Sequence, residues 1–224
     1  MRKIILLIFI CLIAAHLLAQ NTIGIQAGYL GTYTSIAEYE RIERTDYLLD
    51  SMAISPSVGS AAVMLNVDID LGKNFYLSNG FHYINKGLAN VSFFDSTGWD
   101  WHTAARQKYL GLSMLIGYRI HFHESRFGLQ VATGLQTDFA IGTPNPGALF
   151  SGPYARFFMP FTRFNELDLS WSTEAGVTYK LGPGDIVLKL SYLYGLSDVL
   201  EDAFVVARSM SGGITIGYAI KLSK

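Results

Sequence analysis

The chain has one cysteine among its 224 residues, six prolines and a formal net charge of −1, and each scarcity narrows what it can be. A single thiol makes no intramolecular disulfide. Because Cys11 falls within the first 20 residues, its removal with them would leave a chain without thiol chemistry. A charge so near zero, with no cluster of Lys or Arg beyond Arg2 and Lys3, supplies no field for nucleic acid. After residue 20 there is no uninterrupted apolar run of the roughly 18 residues that a membrane-spanning helix requires. Yet 50% of the residues are hydrophobic and mean hydropathy is +0.27, high for a protein that meets only water. That apolar content must therefore be spread in some other pattern.

Residues 1–20 read as an export signal removed on maturation: Arg2 and Lys3 form a charged start, Ile4 to Leu18 an apolar run, and Ala19 offers a small residue before Gln20. A retained helix and a lipid anchor on Cys11 are the alternatives. The run is short for the first, and Ile10 stands where the second needs a small residue. The remainder, 21–224, is expected to be one domain.

Its pattern is alternation, which places successive side chains on opposite faces of a strand. Eight segments show it, at about 22–33, 59–71, 75–85, 108–120, 127–141, 167–181, 185–196 and 208–222. In the clearest, Val63, Leu65, Val67, Ile69 and Leu71 alternate with Met64, Asn66, Asp68 and Asp70. Asn79 interrupts the apolar face of the third. Short connections (72–74, 121–126, 182–184) alternate with long ones (34–58, 86–107, 142–166, 197–207). Transmembrane barrels join their strands in this way, with short turns on the periplasmic side and long loops outside. Aromatic residues mark both interfaces: Phe75, Tyr118, Phe127, Tyr179 and Tyr218 near the short turns, and Tyr29, Tyr33, Tyr83, Phe139, Trp171, Tyr192 and Tyr194 near the long loops. The expected fold is thus an all-β, eight-stranded, antiparallel up-and-down transmembrane barrel in a Gram-negative outer membrane, exported through a cleaved signal. A soluble ligand-binding barrel, with its apolar faces turned inward, is the competing architecture.

Eight strands enclose an interior just wide enough for side chains to fill. Asp68, Asp70, Arg119, Glu174, Lys180, Lys189 and Lys221 are expected there as a polar network of paired charges. Three groupings carry reactive residue types. His121, His123 and Glu124 could ligate a metal, but sit in a turn where polar residues are ordinary. Asp95, Ser96 and His102 supply the types of a hydrolase triad, which only geometry can establish. Ser78 and His82 share a strand face, although a hydrogen-bonded interior histidine is the simpler account. No catalytic residue, cofactor or metal is assigned. The acidic and basic residues between Glu38 and Asp46 read as a solvated loop, while Phe93, Phe94, Trp99, Trp101, Phe157 and Phe158 are candidates for a partner surface.

Three stretches carry a family likeness: Phe75 to Gly87, ending in Tyr83-Ile-Asn-Lys-Gly87; Tyr109 to Tyr118; and Tyr192-Leu-Tyr-Gly-Leu-Ser-Asp198. Together they resemble the PorT-like outer-membrane β-barrel family of Bacteroidetes over essentially the whole mature chain. Ser113 stands where members often have proline, and the chain ends Tyr218-Ala-Ile-Lys-Leu-Ser-Lys224, without the terminal aromatic that insertion machinery commonly reads. The resemblance implies a small outer-membrane barrel, and some members take part in protein secretion or gliding. The functional expectation is a non-enzymatic envelope barrel, surrounded by outer-membrane lipid, that serves a protein partner. A lipid-modifying enzyme and a narrow porin stand as alternatives.

Overall fold

The computed structural model describes residues 21–39, 49–54, 58–95, 100–122, 125–146, 165–198 and 205–222. They form nine strands: β1 (Asn21–Tyr39), β2 (Leu49–Ile54), β3 (Val58–Gly72), β4 (Phe75–Asp95), β5 (Asp100–His121), β6 (Phe127–Pro146), β7 (Leu167–Leu181), β8 (Gly184–Gly195) and β9 (Val205–Lys221). All pairings are antiparallel, and the order β2-β4-β3-β1-β9-β8-β7-β6-β5 closes through a further β4–β5 pairing. β3 and β2 lie along the same edge of β4, β3 on Phe75 to Tyr83 and β2 on Val91 to Asp95. Wall positions are therefore eight, and the ring is a closed eight-stranded barrel. Closure leaves no unpaired edge around the wall, the condition for a sheet to cross hydrocarbon.

The tight turns follow from their residues. Between β3 and β4, Lys73 and Asn74 both take positive φ (51° and 70°), as the two-residue hairpins that match strand twist require. Asp70 Oδ1 fixes the approach by accepting a hydrogen bond of 2.7 Å from the Gly72 N–H. Between β7 and β8, Gly182 takes the left-handed position (φ 63°) ahead of Pro183.

Burial follows the alternation and shows which face is which. Along β7 the inward Asp168, Ser170, Ser172, Glu174 and Thr178 are buried, while the outward Leu167, Trp171 and Val177 are 40–48% exposed. The same inversion holds around the wall: Ile25, Met114, Val131, Leu190 and Ile216 are all more than half exposed, and the interior is mostly polar. A soluble barrel would bury that apolar face, so this exterior is built for lipid. Near the short turns, Phe75 packs on Tyr118 and Phe127 on Tyr179, each pair with ring centroids 5.0 Å apart, and the Tyr218 hydroxyl donates to the Leu181 carbonyl at 3.0 Å. These five aromatics form a girdle at that end.

The connections differ from expectation. Strand pairing continues well past the lipid-facing rows: β4 runs to Asp95, β5 starts at Asp100, β1 reaches Tyr39 and β6 reaches Pro146. Much of the segments expected to be long loops is therefore strand. Alternation of apolar residues reports contact with lipid, and backbone pairing beyond the lipid-facing rows does not require it. Pro144 and Pro146 fit into β6 because its pairing with β7 has ended at Phe139, so a missing N–H on that side breaks no ladder.

Candidate functional site

The buried polar interior is where chemistry-bearing side chains converge. Inward positions on neighbouring strands lie level in the register, and where one is glycine its two neighbours can meet above it. Gly111 on β5 stands between His82 on β4 and Asp138 on β6. A Cβ there would run into the Asp138 carboxylate and the His82 imidazole. The absence of that one atom lets His82 Nε2 and Asp138 Oδ1 approach to 2.6 Å across a whole strand.

Lys86, on the same face of β4, extends this contact. Its ammonium donates to Asp138 Oδ2 and to Asp168 Oδ2 on β7, and it lies 5.5 Å from the centre of the Tyr109 ring. Both aspartates have no solvent exposure, and Lys86 is 2% exposed. Each carboxylate has further donors. Gln136 Nε2 reaches both oxygens of Asp138 at 3.2 and 3.0 Å. Asp168 accepts from Ser209 Oγ at 2.8 Å and Ser197 Oγ at 3.0 Å, and Ser197 Oγ in turn accepts the Leu169 N–H. Two carboxylates thus face one ammonium and one imidazole, an arrangement tolerable in a buried interior because the ammonium and both carboxylates each have more than one partner. Beside it, Leu30, Ala62, Met64, Ile84, Tyr109 and Leu193 form an apolar cluster inside the barrel.

Two smaller pairs lie toward the short turns. Lys189 Nζ meets Glu174 Oε2 at 2.8 Å. Arg119 Nη2 donates to Asp68 Oδ2 at 2.8 Å and its Nε to Gln130 Oε1 at 3.2 Å, with the guanidinium 4.6 Å from the centre of the Tyr76 ring.

Of the residues expected in the interior, Asp68, Arg119, Glu174 and Lys189 therefore meet inside as two ion pairs. Asp70 and Lys180 do not join them: both are exposed, since alternation gives the face but not the depth, and both sit at strand ends beside a turn. Lys221 is at the rim, 4.0 Å from Asp185. Lys86, Asp138 and Asp168 were not singled out from the sequence. The Tyr83-x-x-Lys86-Gly87 motif carried the signal, together with the unbroken inward series His82, Ile84, Lys86.

Ser78 and His82 are not a dyad. Ser78 Oγ donates to Asp68 Oδ1 at 2.6 Å while His82 is held by Asp138, and four residues of strand set them roughly 13 Å apart. Among the described residues no group of three or more His, Cys, Asp or Glu could hold a metal ion; beside His82, Asp138 and Asp168, the position a cation would take is filled by the Lys86 ammonium. Ser96, His123 and Glu124 lie outside the described residues, as do Trp99, Phe157, Phe158 and the export segment 1–20. Phe93 and Phe94 on β4 oppose Trp101 and Asp100 on β5, in the part of the ribbon beyond the barrel wall.

Solved structures with a similar chain path include Neisserial surface protein A (14% identity, TM-score 0.49, covering 89% of this chain and 97% of that one). Others are Ail of Yersinia pestis (13% identity, TM-score 0.43, 90% and 99%) and the outer membrane protease OmpT of Escherichia coli (9% identity, TM-score 0.43, 91% and 97%). No curated protein matches the sequence. The profile of the outer membrane protein beta-barrel domain matches residues 18–201, most of the chain, and the protein belongs to that family of outer-membrane barrels.

Proposed function

We propose that this barrel is a non-enzymatic component of the cell envelope that presents its outer ribbon to a protein partner, as an accessory of secretion or envelope organisation. The observation that carries the reading is the extent of the β4–β5 ribbon. Its register runs unslipped from Phe75 opposite Tyr118 to Leu88 opposite Ala105, and resumes after one irregularity to Phe94 opposite Asp100. β2 adds a third strand at the far end, along Val91 to Asp95 of β4. A three-stranded blade held by backbone pairing is a better-ordered platform than a loop, and Phe93 and Trp101 are register partners within it. The interior supports the same reading from the other side, because the carboxylates of Asp138, Asp168 and Glu174 and the imidazole of His82 are engaged with other interior side chains.

The test is affinity purification of the barrel from its native outer membrane in mild detergent, in parallel with a Phe93→Ser, Trp101→Ser variant. A stoichiometric partner that the variant loses, while both forms stay folded, is the expected result. A barrel that purifies alone in both forms would remove the accessory reading.

A further inference from the structure

The outward face of β5 changes character abruptly at one level. From the short-turn end it presents Ile120, Tyr118, Ile116, Met114, Leu112 and Leu110, and then Lys108 and Arg106. Both cations are exposed, whereas Gln107 and Tyr109 between and beside them are buried in the interior, so Lys108 and Arg106 point out of the wall on its lipid side. Their height is set by the register: Leu110 lies between Tyr83 on β4 and Phe139 on β6, both in the outer aromatic row. Lys108 is one outward position above that row and Arg106 two, each step roughly 5 Å along the membrane normal for a strand tilted as in such barrels. That is the depth of the headgroups, just outside the hydrocarbon.

Among the described residues no ion pair holds either of the two charges. Asp68, Asp138, Asp168, Glu174 and Asp185 are each held by other cations. The strand positions beside them carry no charge: Arg106 is level with Gly87 on β4 and Asn145 on β6, and Lys108 with Asn85 and Ile141. An amphiphile with an anionic head can meet Lys108 and Arg106 with its charge and the wall beneath with its apolar chain.

We infer that Arg106 and Lys108 form a binding site for the phosphate groups of an anionic outer-leaflet lipid, whose acyl chains lie along Leu110, Leu112 and Met114 of β5. The ligand class is a phosphorylated glycolipid or acidic phospholipid. A free inorganic phosphate would gain the charges but not the wall. The inference is independent of any protein partner, since it uses only the lipid-facing surface.

The experiment is native mass spectrometry of the detergent-folded barrel titrated with bis-phosphorylated lipid A, with a phosphate-free glycolipid of equal acyl content as comparison and inorganic phosphate as competitor. Wild type should retain lipid A in preference to the phosphate-free lipid. Arg106→Gln with Lys108→Gln should weaken retention about 30-fold, and either change alone about five-fold, from the usual contribution of a cation at a membrane surface. The same charge removal at the opposite end, Lys73→Gln with Arg126→Gln, should leave retention unchanged. All variants are at exposed positions, and a band that shifts on heating in a denaturing gel confirms the fold of each. Equal retention by the Arg106, Lys108 variant and wild type would overturn the proposal, as would an equal loss in the opposite-end control. Displacement of lipid A by inorganic phosphate would also overturn it, by showing a free-anion site.

Discussion

Replacing Lys86 by Met keeps the length of the side chain and its packing on Tyr109 but removes the charge that Asp138 and Asp168 share. Asp138 would retain His82 and Gln136, and Asp168 would retain Ser197 and Ser209. Neither set replaces an ammonium between two carboxylates that have no solvent exposure. Breaking a buried ion pair from one side costs about 3–5 kcal/mol, because the cost is that of the charge left behind. The companion change, Asp168→Asn, removes one of those stranded charges and keeps an acceptor oxygen for one of the two serine hydroxyls, which bond different carboxylate oxygens. Alone it should cost about 1–3 kcal/mol, as a lost charged partner does. On top of Lys86→Met it should restore stability, giving a coupling energy of about 2 kcal/mol or more between the two sites. Urea unfolding of the barrel in lipid vesicles, followed by tryptophan emission, measures all four corners of the cycle. If Lys86→Met costs less than about 1 kcal/mol, or Asp168→Asn costs the same in both backgrounds, the three side chains are not the coupled unit described here.

Three further outcomes follow from other parts of the wall. Gly111→Ala places a methyl group where the Asp138 carboxylate and His82 imidazole meet, so the urea midpoint should fall by an amount equivalent to about 1–3 kcal/mol. An unchanged midpoint would mean the contact across β5 is not made. Ile116→Lys puts a charge on the lipid face between Leu77 and Thr133 and should cost about 2–4 kcal/mol in vesicles, whereas in a water-soluble barrel the same change at a residue 54% exposed would be close to neutral. Phe127→Leu removes the ring that packs on Tyr179 at 5.0 Å and should cost about 1 kcal/mol, an effect that Tyr179→Leu should remove in a double-mutant cycle.

How much of this was legible in the sequence depended on what lipid enforces. Val63 to Leu71 could be read as a strand with two unlike faces because hydrocarbon sorts side chains at every second residue, and the aromatic pairs near the turns were legible for the same reason. Outside the membrane the sorting stops. The outer halves of β4 and β5 therefore looked like loop, although backbone pairing joins them. The interior was legible by face only. Asp68 and Arg119 could be placed inside, but which charges meet is decided by closure of the ring, which brings Lys86 to Asp138 and Asp168 across 52 and 82 residues of sequence. Proximity to a turn, which exposes Asp70 and Lys180, needs the strand ends to be known to within a residue.

The reach of Lys86 has a mechanical meaning. Backbone pairing joins each strand to its two neighbours and so resists stretching around the circumference, but a thin-walled tube of this kind yields easily to being squashed into an ellipse. Lys86 ties β4 to β7, three positions away around a ring of eight, and His82 ties β4 to β6. These contacts act as spokes rather than as rim, so lateral pressure from the surrounding bilayer meets a braced cross-section at the outer end of the barrel. The ribbon above it stands on a foundation that keeps its shape.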